Sequence, residues 1–406
     1  MNMTAKILFL TPDLPYPPHQ GAAIRSFNFI KNLASRHEIH LLSFIQGRNN
    51  LNRIDPLSRY CISTVTVPVA GRSATSRAFS VLFSAKPDMA LRLPSPQFTN
   101  QLRIHLERER FDFVQVEAIE MAQYGLAVIE MSLPSPPLVI FDDINAEYVL
   151  QRRAFETDMK HPSLWVGAFY SLIQWQKLRR YEADVCRRMD RVVVVSKGDG
   201  KALQRLVSGL KTSVVPNGVD ISYYSPADRE KESDATLVFT GKMDFRPNVD
   251  AVLWFAQEVW PLIQKDIPDA RFKVAGRNPH PRLEPLKGFS GITLTGYVED
   301  IRPHIAEAGV YVIPLRVGGG TRLKVLEAMS MTKAIVSTSQ GCEGIDITPG
   351  QELLIADEPL PFAEQVVSLM KDRERRRELG VAARRLVEAR YDWQHITPLL
   401  EQVYES

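Results

Sequence analysis

The feature that most constrains this chain is a pattern that runs through it twice. A short, mostly apolar run is followed by a segment of helix length, then by another apolar run. In the first half the runs are Lys6–Thr11, Glu38–Phe44, Ile62–Val67, Phe111–Val116, Leu138–Phe141 and Arg191–Val195. The pattern restarts with Leu237–Thr240, Arg271–Ala275, Ile292–Thr295, Gly309–Ile313 and Ala334–Ser337. Strands that are apolar on both faces and joined by helices belong in a parallel sheet covered on both sides. The predicted fold class is α/β: two doubly wound, Rossmann-like domains facing across a cleft.

A chain of 406 residues has room for two or three domains, at roughly 150 residues each. Val214–Asp220 (VVPNGVD) holds a Pro-Asn-Gly turn signal where the second pattern begins. The predicted domains are 1–214 and 215–390. The segment 391–406 forms a terminal helix behind Tyr391-Asp392-Trp393. Its Trp393 and Tyr404 need burial, which sends the helix back onto the first domain. Ligands in such sheets bind outside the carboxyl ends of the strands.

Composition removes several classes. Apolar residues at 45% and charged residues at 24% exclude a collagenous or disordered chain. A formal charge of +3 gives no reason to expect a nucleic-acid partner. Cys61, Cys186 and Cys342 lie far apart, which excludes a cysteine-rich zinc site and suits a reducing cytoplasm. The first fifteen residues lack the long apolar stretch of a signal peptide. The longest apolar segment, Leu164–Trp175, is too short to span a bilayer, and basic Lys177, Arg179 and Arg180 follow it. An amphipathic helix packed on the core is the ordinary reading. A helix touching a membrane surface or a lipid acceptor is the alternative. The expected location is cytoplasmic, peripheral to the inner face of the membrane in that second case.

The stretch Val310–Met329 (VYVIPLRVGGGTRLKVLEAM) is the most informative. A buried strand ends at Pro314, three glycines follow at Gly318, Gly319 and Gly320, and Thr321 is suited to cap a helix over Arg322–Met329. Leu323 and Leu326 are expected to face inward. Glycine loops let backbone N–H groups approach a ligand, and a helix N-terminus adds roughly half a positive charge. Arg322 and Lys324 sit in a first turn that the macrodipole reserves for anions. Their clustering makes sense if an anion is bound there, and a diphosphate fits. Glu327, one turn further, suits a neutral donor such as ribose hydroxyls. The competing reading is a glycine loop with solvated cations and a surface Glu.

The segment Gly319–Met329 resembles the donor-binding loop of retaining glycosyltransferases of family 4, which have the GT-B fold. The resemblance covers nearly the whole chain. It takes in the N-terminal strand and glycine loop ending at Gly21, the turn Pro216–Asp220, Thr240-Gly241-Lys242, Gly296-Tyr297-Val298 and Tyr391-Asp392-Trp393. It implies transfer of a hexosyl or related sugar from a nucleotide diphosphate sugar, with retention and without a metal or other cofactor. The second domain would hold the donor and the first a glycan or lipid-linked acceptor. Lys242, Arg246 and Lys324 would hold the diphosphate, and Glu327 the ribose. Tyr297-Val298 would lie by the nucleobase, and Gly21 near the phosphate or sugar. Gly318, Gly319, Gly320, Thr321, Arg322 and Leu323 would line the donor.

Two departures mark the chain. The family's first loop Glu, which touches the transferred sugar, is Gly319 here, as in a branch with a GGGTRLK loop. The segment Phe141–Glu147 resembles one that often carries a His, and Ile144 stands in this chain. His19, Asp143 and Asn145 are then the residues available to face the sugar, with loop-capping as the competing role for Asp and Asn. Adjacent Asp142 and Asp143 point to opposite faces of an extended segment, which disfavours a shared metal. The remaining histidines show no ligand spacing, and neither G-x-S-x-G nor an early G-x-G-x-x-G is present. A nucleotide-sugar epimerase, a sugar phosphorylase and a non-catalytic nucleotide-sugar-binding scaffold are the alternatives on the same architecture.

Overall fold

The apolar runs become the strands of two separate parallel sheets. The computed structural model describes residues 4–18, 21–47, 54–160, 162–226, 232–319 and 322–406. The chain divides into two units, Met1–Pro216 with Ile396–Ser406, and Asn217–His395. The first unit holds β1 (Lys6–Thr11), β2 (Glu38–Ile45), β3 (Ser63–Pro68), β4 (Phe113–Glu117), β5 (Leu138–Asp143), β6 (Arg191–Val194) and β7 (Thr212–Val214). Their order is β3-β2-β1-β4-β5-β6-β7, and every pairing is parallel.

The second unit holds β8 (Ser233–Thr240), β9 (Arg271–Ala275), β10 (Ile292–Gly296), β11 (Ala308–Ile313), β12 (Ile335–Ser337) and β13 (Leu354–Ile355). Their order, β10-β9-β8-β11-β12-β13, repeats the first six positions of the first sheet. Both are doubly wound, Rossmann-like sheets with a switch point beside their first strand.

Lys6–Thr11 and Arg271–Ala275 form as predicted, and the other predicted strands shift by one to four residues at an end. The largest shift is at β8, which starts at Ser233 inside a charged stretch. Arg376 reaches Glu232 at 3.2 Å and also pairs with Asp234, so those carboxylates do not break the strand. The short edge strands β7 and β13 were not anticipated.

The segment Leu164–Trp175 falls in the helix Trp165–Arg188, which is amphipathic as expected, but its largest side chains there are not on the core face. Ala168, Ser171, Gln174, Leu178 and Tyr181 turn inward, whereas Trp165, Val166 and Phe169 are exposed. No helix among the described residues is long and apolar enough to cross a membrane. The terminal helix Trp393–Glu405 places Tyr404 on the first sheet, stacked on Phe113 with ring centroids 4.7 Å apart. Trp393 packs against Gly218, where any Cβ would come within 2.8 Å of the indole.

The interior of the first unit carries a charge network. Arg25 forks onto Asp142, Nε to Oδ2 at 2.8 Å and Nη2 to Oδ1 at 2.9 Å, with both side chains fully buried. Such bidentate pairing is the strong form of the ion pair. Glu117 lies beside them and accepts from Ser26 Oγ at 3.0 Å. Burial and the Asp142 charge push the Glu117 carboxyl up to about 8, against the pull of Arg25. A carboxyl raised in the folded state contributes stability below its unfolded value near 4.3 and loses it as pH rises through about 8. Each pH unit in that window costs about 1.4 kcal/mol. Thermal melts from pH 5 to 8.5 should therefore show Glu117→Gln losing less stability than the parent. Parallel pH profiles for the two proteins would contradict this placement.

Candidate functional site

In the second sheet β8 and β11 are neighbours, but the chain leaves them toward opposite edges. Their carboxyl ends form the crevice where sheets of this order take ligands. Gly241 and Lys242 follow β8. The segment 314–322 follows β11 and leads into the helix Leu323–Ser330. That helix starts one residue later than predicted, because Arg322 stands at its N-cap with ψ 87°, outside the helical backbone region.

Gly318 sits at φ +104°, in the left-handed region that favours glycine. Two side chains fix the loop around it. Gln340 Nε2 donates to the Gly318 carbonyl at 2.9 Å, and Arg322 Nη1 donates to the Gly319 carbonyl at 2.8 Å. Arg322 is buried, Leu326 is buried as expected, and Leu323 is only partly so. Gly320 and Thr321 lie outside the described residues.

Lys324 points from the first turn of the helix to the end of β8. Its Nζ donates to Asn248 Oδ1 at 2.8 Å and lies 4.0 Å from the Phe239 ring centroid. Asn248 Nδ2 donates in turn to the Lys242 carbonyl at 2.9 Å, so one amide ties the strand end to the cation. Gly241 sits at φ +152°, a backbone region that favours glycine, and a Cβ there would come within 2.7 Å of Asn248 and 2.9 Å of Lys324 Nζ and displace both side chains. Burial pulls the Lys324 ammonium down to about 7, the Arg322 charge adds to this, and Glu327 opposes it.

Glu327 follows one turn later. Tyr224 Oη donates to its Oε1 at 3.2 Å. Burial raises the carboxyl, while Tyr224 and Lys324 hold it down. Tyr224 is delivered by the turn at Asp220, whose Oδ1 accepts from the backbone N–H groups of Ser222 and Tyr223 at 3.0 and 2.9 Å. The neighbouring Tyr223 ring lies 4.0 Å from the Arg302 guanidinium, which is itself held by Asp300.

The remaining predicted residues are more dispersed. Lys242 is exposed and pairs with Asp244 at 3.5 Å. Arg246, also exposed, opens the helix Arg246–Trp254. Tyr297 is exposed just past β10, an edge strand, and Val298 is partly buried. In the first unit Gly21 opens the helix Gly21–Leu33. His19 lies outside the described residues. Asn145 donates to Glu147 Oε1 at 3.1 Å, a local turn contact. Asp143 corrects the expectation that it faces a sugar: it is buried at 1% exposure. Burial and the surrounding charges of Glu182, Glu147 and Asp199 hold its carboxyl well above the usual range. Asn248, Tyr224 and Gln340 were missed by sequence reasoning. The Tyr pair after the Pro-Asn-Gly turn was the one visible signal.

Known proteins resemble this chain in sequence and in fold. The profile described as Glycosyltransferase Family 4 matches residues 19–223, and that described as Glycosyl transferases group 1 matches residues 234–372. An uncharacterized 44.6 kDa protein in the cps region of Klebsiella pneumoniae is 22% identical over 96% of this chain and 97% of that protein. The phosphatidyl-myo-inositol mannosyltransferase of Mycobacterium tuberculosis is 26% identical, over 47% of this chain and 53% of that enzyme. Among solved structures, Anabaena Alr3699/HepE in complex with UDP and glucose superposes with a TM-score of 0.66 at 14% identity, over 99% of both chains. Sucrose-phosphate synthase from Thermosynechococcus elongatus gives 0.70 at 15% identity, over 99% of this chain and 98% of that one. With two Rossmann-like sheets of the GT-B kind and a profile match over half its length, the chain belongs to glycosyltransferase family 4.

Proposed function

We propose that this glycosyltransferase is a retaining enzyme. It moves a sugar from a nucleotide diphosphate sugar to a glycan or lipid-linked acceptor in polysaccharide or glycoconjugate assembly, without a metal. The observation that carries the reading is the Lys324–Asn248 contact one helical turn from the Tyr224–Glu327 contact. A partly desolvated cation beside a glycine loop suits a diphosphate, and a carboxylate one turn away suits ribose hydroxyls. The UDP-bound Anabaena protein, the mycobacterial mannosyltransferase and the cps-region relative support the donor and acceptor classes. Residues 215–390 would hold the donor and 1–214 the acceptor.

The chemistry follows from charge. As the bond from the sugar to phosphate breaks, negative charge grows on the leaving diphosphate. Lys324, Arg322 and the loop N–H groups stabilise that charge more than they stabilise the ground state. Lys242 and Arg246, exposed at the same strand end, would add to it. The acceptor hydroxyl forms the new bond on the face the diphosphate leaves, and its proton passes to a phosphate oxygen.

Calorimetric titration with UDP, GDP and ADP tests the site. Lys324→Ala and Glu327→Gln should each weaken the preferred nucleotide by about tenfold or more, the worth of one charged hydrogen bond. Unchanged affinity in both variants would refute the assignment. Nucleotide binding with no transfer across a broad acceptor panel would favour the scaffold reading.

The lowered Lys324 value gives a second test. With the ammonium drawn down to about 7, a neutral fraction is present at neutral pH, and a bound diphosphate favours the charged form. Binding at pH 7.5 should take up protons, seen as a dependence on buffer ionisation enthalpy, and affinity should fall from pH 6.5 to 8.5. Lys324→Arg should reduce both effects, leaving only the part that comes from the ligand's own terminal phosphate. Tyr224→Phe should raise the donor KM several-fold, with a smaller change in kcat, because it frees Glu327 without removing it.

A further inference from the structure

Two helices of the first unit carry large apolar side chains outward. On the helix Trp165–Arg188, Trp165 is 56% exposed, Val166 88% and Phe169 62%. On the helix Ala74–Phe83, Phe79 is 65% exposed and Phe83 71%, with ring centroids 4.6 Å apart. The two helices are tied together. Lys177 Nζ donates to the carbonyls of Ser80 and Val81 at 3.2 and 2.6 Å, near the end of the shorter helix. Exposed apolar surface on this scale marks an interaction site.

Charge indicates the occupant. Residues 72–92 and 152–180 together hold ten Lys and Arg against three Asp and Glu. Their net +7 exceeds the +3 of the whole chain, so the rest of the molecule is net acidic. Arg180 follows Phe169 by eleven residues, about three helical turns, and so lies on the same stripe. Aromatic and aliphatic side chains flanked by basic ones are what the headgroup region of an anionic bilayer receives. We infer that the outer face of Ala74–Phe83 and of the first turns of Trp165–Arg188 docks the protein onto an anionic lipid bilayer. The helices lie in the plane of the headgroups rather than across the membrane, since neither is long and apolar enough to cross. This surface stands apart from the donor reading, and its test uses no sugar nucleotide.

The test is co-sedimentation of the full chain with vesicles of phosphatidylcholine alone and of phosphatidylcholine mixed with phosphatidylglycerol. The parent protein should bind the mixed vesicles, with affinity falling as salt rises. The double variant Val166→Glu with Phe169→Glu should lower partitioning about tenfold or more at an unchanged melting temperature, because both side chains already face water. Arg180→Glu should weaken binding to the mixed vesicles only. Equal sedimentation of parent and double variant would overturn the proposal. So would an absence of vesicle binding accompanied by self-association that the same substitutions abolish, which would give the face to a second copy of the chain.

Discussion

The glycine-loop end of the second sheet depends on one constraint: a lysine drawn partly out of water without a carboxylate to neutralise it among the described residues. Lys324 and Glu327 sit one turn apart on the same helix but form no ion pair. Each is held by a neutral group instead, Asn248 on the amine and Tyr224 on the carboxylate. Neutral partners satisfy the hydrogen bonds without cancelling the charge. The Phe239 ring face offsets part of the desolvation. What remains of the burial cost appears as the lowered affinity of Lys324 for its proton. In the proposed function an arriving diphosphate supplies the missing countercharge to a cation already in place.

The first unit handles the same problem in the opposite way. Arg25 is also buried beside a sheet of the same strand order, yet Asp142 takes it bidentately and Glu117 stands behind. That cation is already neutralised, and it is enclosed among Ser26, Glu117, Asp142 and the Pro216 carbonyl, which accepts from Nη1 at 3.0 Å. Breaking such a pair strands a charge in the interior, which makes it structural. Two sheets that share the order of six strands thus hold one cation neutralised by carboxylates and one held by a neutral amide.

Much of this was legible in the sequence. The strands were, because a two-faced apolar run has few other places to go. The glycine loop was, because Gly318 needs a backbone region that other residues avoid. Asn248 and Tyr224 were not. Their roles depend on contacts across 76 and 103 residues of chain, which no local pattern encodes. Asp143 was misread for a related reason. The extended segment is visible in the sequence, but its burial is not until β5 takes its place in the sheet, with Arg25 arriving from 117 residues away to hold Asp142 inside.

The helix Trp165–Arg188 shows a different limit. Periodicity reports that a helix has an apolar stripe, but it does not report what covers the stripe. Over the first turns of this helix Ala168, Ser171 and Gln174 pack inside while Trp165 and Phe169 face out; further along, Leu178, Tyr181 and Val185 form the inward face. Exposing large rings over those first turns gives up burial that usually stabilises a helix. An exposed stripe of this kind, in a segment that also carries Arg179 and Arg180, is the observation on which the proposed bilayer docking rests.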